Sequence, residues 1–207
     1  QDANIDIIEC GWLKNTPHKE GSSFFHTPSD MVPYLLDKRS DTLYAVMIDW
    51  DRYDIENLPV CDGKSVDAIR IVFPRGKHNE AIEIGKQIRS KGYKILFQAA
   101  NTLAYTENEL KTLAHAMNEI EPVSLSIVDT FGAMYEQDLK NIVDILNTEL
   151  KQDIKLGFHS HNNQQLSFAL SISFIEMFMK EKRDIIVDAS LCGMGRGAGN
   201  TTTELLA

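Results

Sequence analysis

His159-Ser160-His161 is the stretch of this sequence with the most pointed chemistry. On a strand, side chains alternate with period two, so both imidazoles would face one side with Cα atoms roughly 6–7 Å apart. Two ring nitrogens at that spacing can converge on one metal ion. Imidazole joined by carboxylate or amide oxygen suits Zn²⁺, Mn²⁺, Co²⁺ or Mg²⁺, and the choice among them stays open. The second feature is the turn Gly193-Met194-Gly195-Arg196-Gly197-Ala198-Gly199-Asn200, whose glycines allow positive φ and close approach of the backbone to a ligand. Asn200 either reaches a metal with its side-chain oxygen or caps a helix beginning at Thr201. Cys192, next to that turn, reads as a small hydrophobe rather than a nucleophile. His18 and His26 lie in a long loop, where either could supply a general base.

Seven short apolar runs must position these groups: 5–10, 43–49, 68–73, 94–98, 125–129, 154–161 and 185–191. They are rich in Ile, Val, Leu and Phe on both faces, as parallel strands covered by helices are. Helical periodicity separates them. Leu110, Leu113, Ala114, Met117 and Ile120 form one apolar stripe, preceded by Thr106 and Glu109 in capping-box spacing. Leu139, Ile142, Val143, Leu146 and Leu150 form another. Asn162 and Asn163 are placed to start a further helix. Repeated β-then-α units imply a parallel sheet with right-handed crossovers. Without a break in composition they favour a TIM (β/α)8 barrel over a doubly wound sheet, and no G-x-G-x-x-G follows the first strand. The segment 12–28 is too long for a simple βα connection and is expected to be an ordered cap over an active site.

In such barrels the chemistry collects at the C-terminal strand ends. Those ends read Glu9, Asp49, Arg75, Gln98, Asp129 with Thr130, His159 with His161, and Asp188 with Cys192. Polar groups recurring at the exits of apolar strands suggest a lined pocket. Glu9 and Gln98 are pocket candidates on this argument, whereas Asp49 and Arg75 read equally well as helix caps.

Composition narrows the classes. Twenty-one basic against thirty acidic side chains give a net charge of −9 over 207 residues, which argues against a phosphate-backbone binder. With 43% hydrophobic and 25% charged residues the chain is not wholly disordered. Three scattered cysteines make no disulfide framework and suit a reducing, cytoplasmic setting. No apolar run reaches the roughly 18 residues of a membrane helix.

GFHSHNN, VDTFGAM and GMGRGAGN, in that order and spacing, resemble the DRE-TIM metallolyases with their HMG-CoA-lyase-like catalytic domain. The opening IDIIECGW resembles that family's second strand, so the likeness spans residues 1–207 as one barrel domain, strands two to eight. Within the family, Asp129, Gly132, Ala133 and Met134 and the ungapped Gly-Ala-Gly-Asn turn look closest to the 4-hydroxy-2-oxo acid aldolases. Asn162-Asn163 departs from the His-Asn usual in aldolases and the Asn-Asp of the Claisen synthases. The turn after Cys192 is one residue shorter than the lyase's, which argues against a lyase-type cysteine role. The resemblance implies a divalent cation held by His159 and His161, supported by Asn200, with Thr130 facing a 2-oxo acid substrate. It also implies an Arg-Asp signature on a preceding strand, which supplies a further ligand and is not within 1–207. A truncated barrel, short of its first strand and the end of its last helix and inactive as such, is therefore expected. The implied reaction is cleavage to pyruvate and an aldehyde, in a homo-oligomer or beside an aldehyde-consuming partner enzyme. A Claisen-type acyl-CoA synthase, an acyl-CoA lyase and a non-catalytic metal- or partner-binding barrel remnant are the alternatives.

Overall fold

The computed structural model describes residues 5–35 and 38–207, which group into two compact units. Residues up to Phe73 with Asn79–Phe97 form the first, and Pro74–His78 with Gln98–Ala207 the second.

The first unit is built on parallel strands β1 (Ile7–Leu13), β2 (Phe24–Phe25), β3 (Leu43–Asp49) and β4 (Ala68–Phe73), ordered β2-β1-β3-β4. β3 and β4 match the apolar runs, β2 lies in the segment 12–28 where no strand was expected, and β1 continues three residues past Cys10. Its register against β3 slips between Glu9 and Trp12, and Gly11 takes φ +143° there. A Cβ on Gly11 would fall 2.3 Å from the Ser23 carbonyl oxygen, so only glycine lets β1 run on beside β2. Segment 12–28 is accordingly ordered: it finishes β1, forms β2 and reaches a 3-10 turn, Pro28–Tyr34. Helix α1 (His78–Ser90) turns Ala81, Ile82, Gly85 and Ile88 inward. Phe73 and Phe97 meet edge-to-face at 5.9 Å in the core.

The second unit carries the end of β5 (Lys94–Ala99), then β6 (Ser124–Asp129), β7 (Lys155–Ser160) and β8 (Ile185–Val187), with β7 pairing in parallel to both β6 and β8. Helices α2 (Glu107–Ile120) and α3 (Glu136–Glu149) bury the stripes read from their periodicity. The capping box forms: Thr106 Oγ1 accepts the Glu109 N–H and Glu109 Oε2 accepts the Thr106 N–H at 2.8 Å. Helix α4 (Ser167–Phe178) packs through Phe174, 5.5 Å from Phe158. Arg183, 5% exposed, spends its whole guanidinium on chain endings. It donates to the carbonyls of Asn147, Leu150, Lys151 and Ile154 and to Asn147 Oδ1, closing the C-terminal end of α3.

Three local expectations are corrected. Asn162 and Asn163 do not start a helix, because α4 begins at Ser167 after a turn closed by the Gln165 N–H on the Asn162 carbonyl. Asn200 does not cap the last helix, α5 (Thr203–Leu206), which follows Thr202. Glu9 does not sit at a strand exit: with β1 extended it lies mid-strand and pairs with Arg70 of β4 at 2.5 Å.

Candidate metal centre

His159 is the fifth residue of β7 and His161 follows its end, so the period-two alternation sends both rings the same way. Their centroids are 5.2 Å apart. Each ring is tied at Nδ1. His159 Nδ1 lies 3.0 Å from Asp188 Oδ2, and His161 Nδ1 lies 3.2 Å from the Arg196 carbonyl oxygen. Both partners are pure acceptors, so the proton sits on Nδ1 in each neutral ring and Nε2 keeps its lone pair. Burial pushes the His161 imidazole below its ordinary value, the neighbouring His159 adds to that, and the Arg196 carbonyl opposes it. The direction favours the neutral, ligating form.

Asn200 pairs through its backbone with that of His161 in an isolated antiparallel bridge. Its Nδ2 donates to the Met194 carbonyl at 3.3 Å, while Oδ1 is buried with no hydrogen-bond partner among the described residues. An unsatisfied buried amide oxygen costs about 1–3 kcal/mol, a penalty that a cation or a ligand donor would remove. Two imidazole nitrogens and an amide oxygen form a donor set suited to a borderline divalent ion, so these residues fit the metal implied by the resemblance. Among the described residues no group of three or more His, Cys, Asp or Glu could hold a metal on its own.

The surrounding turns explain the glycines. Gly132 takes φ +58°, and a Cβ there would lie 2.6 Å from both the Asn163 nitrogen and the His161 carbonyl oxygen. A Cβ on Gly195 would meet the Asn200 amide at 2.6 Å. Asn163 accepts the Ala198 N–H on Oδ1 at 3.1 Å and donates Nδ2 to the Phe131 carbonyl at 2.6 Å, joining the turn after β6 to the glycine turn.

The other strand-end residues separate by partner. Gln98, 3% exposed, donates Nε2 to Asp188 Oδ2 at 2.7 Å and so joins the His159 cluster. Thr130 Oγ1 accepts the Asn101 N–H at 2.7 Å, which leaves the hydroxyl proton available to donate. The Asp129 carboxylate accepts the Ala133 and Met134 N–H groups at 2.9 and 3.1 Å and serves its own turn. Arg75 forks onto Glu109 at 2.8 and 2.7 Å. Cys192 is exposed at φ +53°, with its N–H donated to Glu204. His18 Nδ1 meets the Phe24 carbonyl at 2.7 Å and Nε2 the Tyr34 hydroxyl at 3.0 Å, and His26 Nδ1 meets the Lys14 carbonyl at 3.1 Å. Sequence reasoning placed Asp188 at a strand end without giving it a task. The usable signal was its position one residue beyond β8, where parallel pairing with β7 puts it beside His159.

The sequence profile of the HMGL-like family matches residues 75–207. This chain belongs to that family. It is 33% identical over 125 residues, 60% of its length, to 4-hydroxy-2-oxovalerate aldolase 6 of Rhodococcus jostii (strain RHA1), covering 33% of that protein. The chain spans about half or less of the length of the curated relatives it matches first. It superposes with a TM-score of 0.76 and 27% identity on the N-terminal domain of a putative aldolase from Bacteroides vulgatus, covering 99% of this chain and 70% of that one. Hydroxymethylglutaryl-CoA lyase from Pseudomonas aeruginosa, at 13% identity and a TM-score of 0.72, covers 99% of this chain and 72% of its own and shows the shared fold. The fold is of the TIM (β/α)8 class, as the alternation of parallel strands and helices implied. Among the described residues no helix is long and apolar enough to cross a membrane.

Proposed function

We propose that this chain carries the metal-binding half of an aldolase that cleaves a 4-hydroxy-2-oxo acid to pyruvate and an aldehyde. The observation that carries the reading is the pair of Nδ1-tethered imidazoles, one of them bridged through its backbone to Asn200, whose side-chain oxygen is buried without a hydrogen-bond partner among the described residues. The names of the aldolases it matches supply the reaction class. A divalent cation held by His159, His161 and Asn200 would supply a Lewis acid for the 2-oxo and carboxylate oxygens of the substrate.

The chain's own residues then do three things. Asp188 and the Arg196 carbonyl hold the two rings through Nδ1, which leaves each Nε2 as the nitrogen that would ligate. The Thr130 hydroxyl, with its oxygen occupied by the Asn101 N–H, donates its proton toward a substrate oxygen. Gly132 lets its turn close on the His161 and Asn163 backbone, and Gly195 leaves no room for a side chain beside the Asn200 amide. In the cleavage a base takes the proton of the 4-hydroxyl, and that oxygen becomes the aldehyde carbonyl. The C3–C4 bond breaks with its electron pair passing into the 2-oxo group, and protonation at C3 gives pyruvate.

The test uses the full natural protein, including residues beyond this chain. Release of pyruvate from a 4-hydroxy-2-oxo acid, followed with a pyruvate-consuming coupled assay, is expected. His159→Ala should abolish stoichiometric Mn²⁺ binding in calorimetry, and unchanged binding would sink the assignment. Acetyl-CoA turnover with a 2-oxo acid, with no pyruvate release, would move the reaction to the synthase.

A further inference from the structure

His161 is held by a main-chain carbonyl, whereas His159 is held by a charged side chain that is itself held. Asp188 Oδ2 takes two donors, His159 Nδ1–H at 3.0 Å and Gln98 Nε2–H at 2.7 Å. The strand register delivers the carboxylate. Phe158 pairs with Val187 across the parallel β7/β8 ladder, and the Asp188 N–H donates to the Phe158 carbonyl at 2.9 Å. The next residue on β7 is His159 and the residue that follows the end of β8 is Asp188, and the two side chains meet. Their side chains are only 18% and 13% exposed, so little water competes for the contact.

A neutral imidazole has two tautomers, and the partner of one nitrogen decides which carries the proton. A carboxylate can only accept, so it demands N–H at Nδ1. Gln98 adds a second donor to the oxygen that holds the ring, which resists rotation of the carboxylate away from His159. We infer that Asp188, braced by Gln98, is a positioning residue that locks His159 as the Nδ1–H tautomer with Nε2 as its ligating atom. Its negative charge also makes His159 a stronger donor than His161, whose neutral carbonyl partner fixes orientation alone. The tautomer assignment stands on the hydrogen bonds; the donor-strength assignment rests on the metal reading proposed above.

The two are separated by one set of measurements on the full natural protein with ¹⁵N-labelled histidine. Long-range ¹H–¹⁵N correlation spectra are recorded without metal, above the ordinary imidazole range. Wild-type His159 is expected to show its proton on Nδ1. Asp188→Ala should shift it toward Nε2–H, while His161 keeps Nδ1–H as the internal sign of an intact fold. Asp188→Asn, whose amide oxygen can accept from both donors, should keep the tautomer and lose the charge. Mn²⁺ affinity should then fall roughly 10–100-fold in Asp188→Ala and less in Asp188→Asn, with Gln98→Met smaller again. A wild-type proton on Nε2, or an unchanged tautomer in Asp188→Ala, overturns the assignment. Should Asp188→Ala not fold, Asp188→Asn decides: unchanged Mn²⁺ affinity there overturns the donor-strength role. A wild-type protein with the expected tautomer that binds no Mn²⁺ refutes the metal reading and leaves Asp188 as the residue that orients His159.

Discussion

Asp129 and Asp188 stand at the exits of β6 and β8, the two strands that flank β7, and they hold opposite kinds of partner. Asp129 is 3% exposed and gives both oxygens to main-chain N–H groups four and five residues ahead. Asp188 gives one oxygen to two side chains, one 29 and one 90 residues away in sequence. The path of the chain just beyond each carboxylate makes the difference. After Asp129 the chain turns at once through Gly132 and presents its amides back to the carboxylate. After Asp188 the chain runs out through Ser190 to a 3-10 turn and leaves the carboxylate to its neighbours across the sheet. One residue type at one kind of position thus holds a loop in the first case and a catalytic candidate in the second.

Substitutions around the two carboxylates should differ in cost, in decreasing order. Gly132→Ala should be the most costly, because a left-handed φ and a 2.6 Å backbone clash combine. A loss of about 3–4 kcal/mol in urea unfolding is expected. Asp129→Ala should cost about 2–4 kcal/mol in the same experiment by stranding two amides. Asp188→Asn should change stability by under about 1 kcal/mol; a loss equal to that of Asp129→Ala would erase the distinction between the two carboxylates. Glu109 provides the exposed counterpart. Its carboxyl is held down to about 2, chiefly by the Arg75 guanidinium and then by the Thr106 N–H and hydroxyl. Because the folded state lowers this value, its contribution is complete above the ordinary glutamate range and fades as the pH falls toward 2. Glu109→Gln should lower the neutral plateau of the stability curve and flatten its acid limb, with variant and wild type converging toward pH 2 in thermal melts.

Much of this was legible locally. Strand runs, helical stripes and the Thr106–Glu109 box depend on neighbours within a few residues, and they appear where expected except that β2 was not foreseen and β8 ends at Val187, four residues short of its apolar run. The same-face geometry of His159 and His161 follows from strand alternation alone. The misplacement of Glu9 arose at Gly11, where a register slip carries β1 on past a residue that reads as punctuation. Asn162 was misread because a good cap residue also makes a good turn: its Oδ1 accepts the Ser167 N–H without Asn162 joining the helix. The roles of Asp188 and Gln98 were hidden for a different reason. They depend on contacts between strands far apart in sequence, and no local pattern encodes them.

Asn163 extends that lesson from single residues to whole loops. One amide group serves both the turn after β6, through the Phe131 carbonyl, and the glycine turn after β8, through the Ala198 N–H. The two loops therefore cannot drift in length independently. An insertion in either would draw it off its side of the amide and strand a polar group on the other. Loop exchange between relatives should succeed when both turns travel with Asn163, and fail when either is transplanted by itself.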